Sequence, residues 1–200
     1  MRVVIDGNIG CGKSTLIQSL KELYKSITIL EENVDEWKPY LTEFYKDMKS
    51  NSLKFQMKVL EHHLHCGKIT SESSDSISIH ERSPLSCIEI FGKDLLTSGF
   101  LKEIDIQLMK SYNTKLGWKP DIIIYLKSDT NIASSRCIER SREGEDTIPI
   151  SYLNNISELY NKLYEKDISN QNEYIVYTVN ANNEKSVVLK EVDEIISKLF

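Results

Sequence analysis

The chain has 200 residues, of which 40% are hydrophobic and 28% are charged, a balance that favours a single globular domain. Its formal net charge of −5 at pH 7 argues against nucleic-acid binding, because gripping a phosphate backbone requires clustered positive charge. The sequence contains no run of about 18 apolar residues, which argues against a helix that spans a membrane.

The cysteines and the amino terminus bear on location. The cysteines, at positions 11, 66, 87 and 137, show neither CxxC spacing nor the pattern of a disulfide framework, and this favours a reduced, intracellular chain. The first strand-like run begins at residue 2 or 3, which leaves no room for a signal or transit peptide. We therefore expect a cytoplasmic protein.

Short apolar runs alternate with amphipathic stretches along the chain. The runs predict strands at residues 3–6, 27–30, 77–80, 122–126 and 174–179. The amphipathic stretches predict helices at residues 13–24, 41–48, 53–69, 84–96, 100–116, 132–140, 150–166 and 186–199. Strands that alternate with helices indicate an α/β fold, here a five-stranded parallel sheet flanked by helices. We expect one domain over residues 1–200.

A glycine-rich turn follows the first predicted strand. In VVIDGNIGCGKSTLI, Gly7 is followed by four residues and then by Gly12, Lys13 and Ser14, which matches the Walker A pattern. Such a loop directs backbone amides and the lysine at nucleotide phosphates, and its serine is placed to hold Mg²⁺. The residues expected to contact the nucleotide are Gly7, Asn8, Ile9, Gly10, Cys11, Gly12, Lys13, Ser14 and Thr15.

Charged residues follow the next two predicted strands. Ligands bind at the carboxyl ends of strands in open parallel sheets, so the position of Glu32 suits a general base for an acceptor hydroxyl. Glu81 and Arg82 follow the third strand, where the acid can support Mg²⁺ and the arginine can hold the acceptor oxygen and the phosphoryl group. A surface carboxylate pair and a structural ion pair are the alternatives.

A charged segment near residue 140 resembles a lid. Arg136 and Arg140 share one face of a predicted helix, and Arg142 follows in a polar excursion that ends before a proline. Such guanidinium groups can neutralise a triphosphate, and the excursion, at about residues 137–149, can act as a mobile lid. A solvated surface helix and loop are the alternative.

Together these motifs resemble the deoxynucleoside kinases of the animal and viral type, which include deoxycytidine kinase and mitochondrial thymidine kinase. The matching segments, in family order, are GNIGCGKST, EENVDEW, FYKDMKSNSLKFQ, HERS and RCIERSREGEDTIPISYL. The resemblance implies a P-loop kinase fold with a short arginine-rich lid, and ATP and Mg²⁺ as cofactors. It also implies transfer to the 5′-hydroxyl of a 2′-deoxynucleoside, a homodimer and, for a viral member, the host cytoplasm.

The resemblance also implies the roles of individual residues. Glu32 is the expected base, with Lys13 and Arg82 as the other catalytic residues. Tyr45 is expected to hold the sugar 3′-hydroxyl, and Gln56 to pair with the nucleobase. The residues expected to bind the nucleoside are Glu32, Val34, Trp37, Tyr45, Phe55, Gln56, His63, Arg82, Cys87 and Glu145. Arg136, Arg140 and Arg142 are expected at the ATP phosphates, and Ser14 and Glu81 at the metal.

Four positions depart from the family pattern, and one of them is Ile88, where the family often has an arginine. Asn33 replaces a proline, a mild change. Cys87 stands where deoxycytidine kinase has an aspartate, and its small side chain is similar to the alanine of thymidine-accepting members. His63 stands where the family has an arginine or a methionine. These departures favour pyrimidine nucleosides, thymidine included.

Two alternatives stay open from the sequence. A nucleoside monophosphate kinase of the thymidylate type shares the glycine loop and a lid, but it needs further positive groups for its acceptor phosphate. A non-catalytic P-loop subunit could lose Lys13, Glu32 or the lid arginines without harm, whereas all of them are present.

Overall fold

The computed structural model describes residues 1–73, 75–140, 148–165 and 174–199. The chain divides into two compact units. The first unit comprises Met1–Glu31, Asp75–Glu81 and Pro120–Phe200. The second unit comprises Glu32–Ser74 and Arg82–Lys119. That residues 1–200 act as one kinase domain stays a prediction.

The first unit contains the sheet. Its strands are β1 (Arg2–Gly7), β2 (Thr28–Leu30), β3 (Ser78–Glu81), β4 (Ile122–Lys127) and β5 (Ile175–Asn180). They form one sheet of five parallel strands in the order β2-β3-β1-β4-β5, so the predicted fold class is confirmed. β1 and β4 are buried along almost their whole length, which explains why both strands are continuous apolar runs without alternation.

The helices are numbered in chain order. They are α1 (Lys13–Leu23), α2 (Val34–Lys46), α3 (Met48–Glu72), α4 (Pro84–Ser86), α5 (Lys93–Thr97), α6 (Glu103–Leu116), α7 (Thr130–Arg140), α8 (Ile150–Tyr164) and α9 (Lys185–Ser197). A π-helical segment, Cys87–Gly92, joins α4 to α5.

The predicted start of the second helix was wrong. The sequence pattern placed a helical stretch near residues 41–48. An internal proline such as Pro39 removes a backbone hydrogen bond from a helix. In the structure α2 already begins at Val34 and includes Pro39. Trp37 and Phe44 lie two turns apart on the same face of α2 and are both buried, and burial of two aromatic side chains outweighs the missing bond.

Each unit has its own apolar core. In the first unit α1 and α9 pack with the strands around a cluster of buried apolar residues: Val3, Ile5, Cys11, Leu16, Ile17, Leu20, Ile77, Ile79, Ile122, Ile124, Leu126, Val179, Ala181, Val188, Val192 and Ile196. In the second unit the cluster of buried apolar residues comprises Phe44, Leu60, Cys87, Ile88, Leu95, Leu101, Ile106 and Met109. The cysteines at positions 11, 66, 87 and 137 are free and buried.

Candidate active site

The glycine-rich turn, residues 7–15, is called the phosphate loop below; it connects β1 to α1 in the first unit. Gly10 and Gly12 have φ angles of 77° and 98°, which favour glycine. A side chain at Gly10 would also collide with the carbonyl of Ala133 on α7. Because Gly12 caps α1 without a side chain, the positive end of the helix dipole is left open to an anion. The loop therefore has the construction of a phosphate cradle.

The Lys13 ammonium group lies over this loop. Its Nζ donates to the carbonyl oxygens of Gly7 at 3.0 Å and of Asn8 at 2.7 Å, and the residue is buried. A buried ammonium group needs such partners, because it has lost its hydration shell. A nucleotide phosphate would offer Nζ a charged acceptor in addition to these neutral ones.

Ser14 and Glu81 lie side by side, although they are far apart in sequence. Ser14 Oγ donates to Glu81 Oε1 at 2.9 Å. The parallel pairing of β1 with β3 sets Ile5 opposite Glu81, and this brings the end of β3 to the start of α1. A hydroxyl and a carboxylate are oxygen ligands of the kind that Mg²⁺ takes beside nucleotide phosphates. The donor set thus fits the metal that the sequence predicted here.

The lid arginines are only partly described. In the structure the Arg136 guanidinium donates from Nη1 to the carbonyl of Ala181 at 2.8 Å, and Arg140 is exposed in the last turn of α7. Arg142 and Glu145, two further predicted site residues, lie outside the described residues, as do the other residues of 141–147.

The second unit brings Glu32, Arg82 and His63 together. Arg82 Nη1 donates to Glu32 Oε2 at 2.6 Å, with 11% and 10% of the two side chains exposed. His63 Nε2 lies 3.8 Å from Glu32 Oε1, and the His63 side chain is 2% exposed. Burial lowers the pKa of His63 to about 3, so the imidazole is neutral near pH 7. The sequence predicted Glu32 as a base and Arg82 as a phosphoryl-binding residue. In the structure they form an ion pair with little exposure to solvent, beside a neutral histidine.

The backbone of Arg82 is strained, which sequence reasoning missed. Its φ angle of 60° is in the left-handed region, and among the non-glycine residues that the structure describes it is the one with this geometry. Strain of this kind is found at functional sites, where the surrounding structure enforces it. The Arg82 guanidinium carbon also lies 4.9 Å from the ring centre of Phe91 in the π-helical segment, a cation–π contact. No local sequence signal reveals either feature.

Gln56 and Cys87 also meet in the second unit. The Cys87 thiol donates to the side-chain Oε1 of Gln56 at 3.4 Å, and both residues are buried. Burial and the negative charge of Glu32 raise the pKa of Cys87, so the sulfur keeps its proton and acts as a donor. The bond favours the orientation of the Gln56 amide in which its oxygen faces the thiol.

The other predicted nucleoside-binding residues lie on α2 and α3. Val34 begins α2 and is half-buried, and Trp37 is buried with its ring edge-on to His62 at 4.9 Å between centroids. Tyr45 is exposed near the end of α2. Half-buried Phe55, on α3, stacks on Phe44 of α2 with 5.1 Å between the ring centres.

Neither a membrane-spanning helix nor a metal-binding cluster is found among the described residues. Within residues 1–73, 75–140, 148–165 and 174–199, no helix is long and apolar enough to cross a membrane. In the same part of the chain no three side chains among His, Cys, Asp and Glu are grouped so that they could hold a metal ion. Mg²⁺ is compatible with the second finding, since it commonly takes only one or two carboxylates together with substrate phosphates.

A family model described as deoxynucleoside kinase matches residues 3–199 of the chain. The chain belongs to the deoxynucleoside kinase family. The family and its P-loop kinase fold, which the resemblance of separated motifs implied, are therefore confirmed.

Several known proteins are similar to this deoxynucleoside kinase chain. The putative kinase protein 029R of invertebrate iridescent virus 3 is 34% identical over 98% of this chain and 96% of its own length. The probable deoxycytidine kinase FPV151 of fowlpox virus is 26% identical over 100% of this chain and 89% of its own length. Deoxyadenosine kinase from M. mycoides, solved with the products dCMP and a flexible dCDP, has a TM-score of 0.85 at 25% identity, covering 99% of this chain and 100% of that chain.

Buried His63 should make stability depend on pH. Its pKa is lowered from 6.5 to about 3 in the folded chain, so below pH 6.5 the unfolded chain binds a proton that the folded chain excludes. The contribution of His63 to the free energy of unfolding is therefore fully present above pH 6.5, and it decreases as the pH falls toward 3. The expected loss from this residue is about 2 kcal/mol at pH 5. Urea unfolding of wild type and His63→Gln at pH 7 and pH 5 measures it.

The variant should lose less stability than wild type between the two pH values. His65→Gln, at an exposed position of the same helix, is the matched control and should follow wild type. Equal losses in wild type and His63→Gln would contradict the assignment of a neutral, buried imidazole.

Proposed function

We propose that this chain transfers the γ-phosphoryl group of ATP to the 5′-hydroxyl of a 2′-deoxynucleoside, preferably a pyrimidine nucleoside such as thymidine or deoxycytidine, in nucleotide salvage. The observation that carries the proposal is the ion pair of Glu32 with Arg82, which is almost completely buried and held in strained backbone. A buried pair of this kind contributes little net stability, which supports a chemical use.

The phosphate loop supplies the donor side of the reaction. Backbone amides of the loop and the Lys13 ammonium group would hold the β- and γ-phosphates, and Ser14 and Glu81 would hold Mg²⁺. The metal would neutralise phosphate charge when it is bound. We further propose that the guanidinium groups of Arg136, Arg140 and Arg142 stabilise the negative charge of the phosphoryl group, which is greatest during transfer.

Glu32 and Arg82 supply the acceptor side. Glu32 would take the proton from the 5′-hydroxyl, and Arg82 would hold the attacking oxygen against the phosphoryl group. The ion pair orients the carboxylate, because Arg82 Nη1 donates to its Oε2. His63 adds no competing charge next to Oε1, because it is neutral near pH 7. Catalysis then consists mostly of positioning and charge stabilisation.

The nucleoside would be recognised by the second unit. Gln56 would pair with the nucleobase, oriented for this by the Cys87 thiol. Tyr45 and Glu145 would hold the sugar hydroxyls. The nucleoside would also be contacted by the side chains of Val34, Trp37, Phe55 and His63.

The buried side chain of Cys87 bears on the choice of base. The compared proteins differ in name, since one is a probable deoxycytidine kinase and another a deoxyadenosine kinase. A small buried side chain at Cys87 supports a base that carries a methyl group, which is thymine. The two viral relatives support action in the host cytoplasm.

The experiment that tests the function is an ATP-dependent phosphorylation assay on thymidine, deoxycytidine, deoxyadenosine, deoxyguanosine and thymidine monophosphate. Turnover of a nucleoside supports the proposal. Turnover of the monophosphate alone would identify a thymidylate-type kinase, and silence on every acceptor would favour a non-catalytic P-loop subunit.

Two substitutions separate the roles of base and cradle. Glu32→Gln should keep nucleoside binding and lose most of kcat, because the amide cannot accept the hydroxyl proton. Lys13→Ala should lower kcat/KM by more than about tenfold, which is about 1.4 kcal/mol of barrier. Steady-state kinetics with both substrates measure these effects.

Glu31→Gln is the control, since Glu31 pairs with Lys21 at the surface of the first unit and should leave kcat unchanged. A Glu32→Gln enzyme with normal kcat and raised KM would make Glu32 a binding residue.

Cys87 provides a test of base preference. Cys87→Asp should weaken kcat/KM for thymidine more than for deoxycytidine, because an added carboxylate crowds the thymine methyl group. Cys87→Ser is the matched control, since its hydroxyl can still donate to Gln56 and adds no charge. The ratio of the two kcat/KM values is the measurement, and an equal loss for both nucleosides would remove the argument for thymidine.

The second unit also has an exposed apolar stripe on α6, formed by Ile104, Leu108, Tyr112 and Leu116. These residues recur every four positions and are between 42% and 65% exposed. The stripe is self-complementary, because a twofold axis at residue 110 would set Ile104 against Leu116 and Leu108 against Tyr112 of an antiparallel copy. We propose that it is the seam of a homodimer.

The charges beside the stripe support a second copy as its partner. The same axis at residue 110 would set Asp105 against Lys115, an opposite-charge pair. Light scattering after size exclusion should give twice 23.1 kDa for wild type and 23.1 kDa for Leu108→Lys combined with Tyr112→Lys. Val187→Lys, at an exposed apolar position of α9, should stay dimeric. A monomeric wild type, or a double variant that remains dimeric, would rule out this seam.

A further inference from the structure

A buried carboxylate stands directly before the phosphate loop. Asp6, on β1, has no exposed surface. Its Oδ1 accepts from the Gly7 amide at 2.8 Å and from the Tyr160 hydroxyl at 2.7 Å, and its Oδ2 accepts from the Tyr164 hydroxyl at 2.7 Å. A carboxylate without solvent needs such donors, so the two phenols are part of what keeps Asp6 in place.

Both phenols come from α8, where Tyr160 and Tyr164 lie one turn apart on one face. Their rings pack on Tyr125 of β4, with centroid distances of 5.5 Å and 5.4 Å. Burial and the charge of Asp6 raise the pKa of Tyr164 well above 10, so its hydroxyl stays a donor. The stacked rings hold the two hydroxyls in fixed directions, because aromatic side chains have few rotamers and are tightly packed here.

The same helix holds the other side of Gly7. Asn8 Nδ2 donates to the carbonyl oxygen of Leu153, in the first turn of α8, at 2.8 Å. Asn8 Oδ1 in turn accepts from the amide of Ile9 at 2.8 Å. The first residues of the phosphate loop are therefore fixed to α8 on both sides of Gly7, through Asp6 and through Asn8.

These contacts continue to the lysine of the loop. Lys13 Nζ donates to the carbonyl oxygens of Gly7 and Asn8, the two residues whose backbone α8 holds. Displacement of that backbone would move the acceptors that direct the ammonium group. The Walker A sequence pattern covers only residues 7–14, so it includes neither Asp6 nor the two tyrosines that donate to it.

We propose that Tyr160 and Tyr164 are positioning residues for ATP: through Asp6 they hold the phosphate loop in the conformation that receives the nucleotide. The inference rests on the nucleotide site of the proposed function. A loop that is ordered before binding does not have to be ordered by the ligand, so removal of the phenol hydroxyls should weaken ATP binding in proportion to the loss of the competent conformation. Once ATP is bound, the reacting groups are unchanged.

The test is the double variant Tyr160→Phe/Tyr164→Phe, which keeps both rings and removes both hydroxyls. Tyr125→Phe is the matched control, because it removes a hydroxyl from the same ring stack that bonds Asn161 and not Asp6. Calorimetry should show the Kd for ATP raised at least about tenfold in the double variant and less than about twofold in the control. KM for ATP should rise in parallel, while kcat at saturating ATP and KM for the deoxynucleoside stay within about twofold of wild type.

A purely structural role would give a different result. The melting temperature would fall and the active fraction would decrease, while Kd and KM for ATP stayed at the wild-type values, and this outcome would overturn the proposal. If the double variant does not fold, Tyr164→Phe alone is measured in the same way and judged by the same criterion.

The outcome for the wild type keeps the two proposals apart. Wild type that binds ATP but phosphorylates no nucleoside would refute the proposed acceptor reaction and leave the ATP-affinity comparison fully valid. Wild type that binds no ATP would overturn both proposals.

Discussion

The parallel pairing of β1 with its two neighbours is the constraint on which the first unit depends. β1 lies between β3 and β4, and because all three run in the same direction their carboxyl ends share one edge of the sheet. That edge is where the chain leaves β1 to form the phosphate loop and where β3 ends in Glu81. The contact of Ser14 with Glu81 is a direct result of this register.

A different constraint shapes the second unit, where charge is removed from water. Glu32 and Arg82 neutralise each other, and burial keeps His63 without a proton, so the group carries no net charge. Replacement of one partner would leave a buried charge without compensation, which costs far more than the pair gains. The strained backbone of Arg82 indicates that the fold holds the guanidinium at this point at a cost in stability, and the contact with Phe91 offsets part of that cost.

Sequence patterns were informative where the chemistry is local. The central strands β1 and β4 contain continuous apolar runs, and the phosphate loop has fixed spacing, so both could be predicted from neighbouring residues. Glu32 and Arg82 could be named because each follows a strand. Their mutual bond could not, because the two are separated by 50 positions in the chain.

Features that depend on packing between distant segments were beyond the sequence. The start of α2 was misjudged because its first turns are held by burial of Trp37, which depends on the folded structure and not on the local pattern. The hydrogen bond from the Cys87 thiol to Gln56 and those from the phenols to Asp6 join residues of different elements. A cysteine or a tyrosine in a sequence more often serves as an ordinary packing residue, so its presence does not predict such a bond. Only folded geometry distinguishes these uses.

The π-helical segment gives the surroundings of Arg82 a second way to change during evolution. A π turn amounts to one residue inserted into an α-helix, and its geometry is less favourable than that of the regular helix. Loss of a single residue between Cys87 and Phe91 would restore the regular winding and change which side chain occupies each position of the segment. Phe91 would leave its place beside Arg82 although no residue of the ion pair had been replaced. Divergence at this site can therefore proceed by a change of chain length as well as by exchange of side chains.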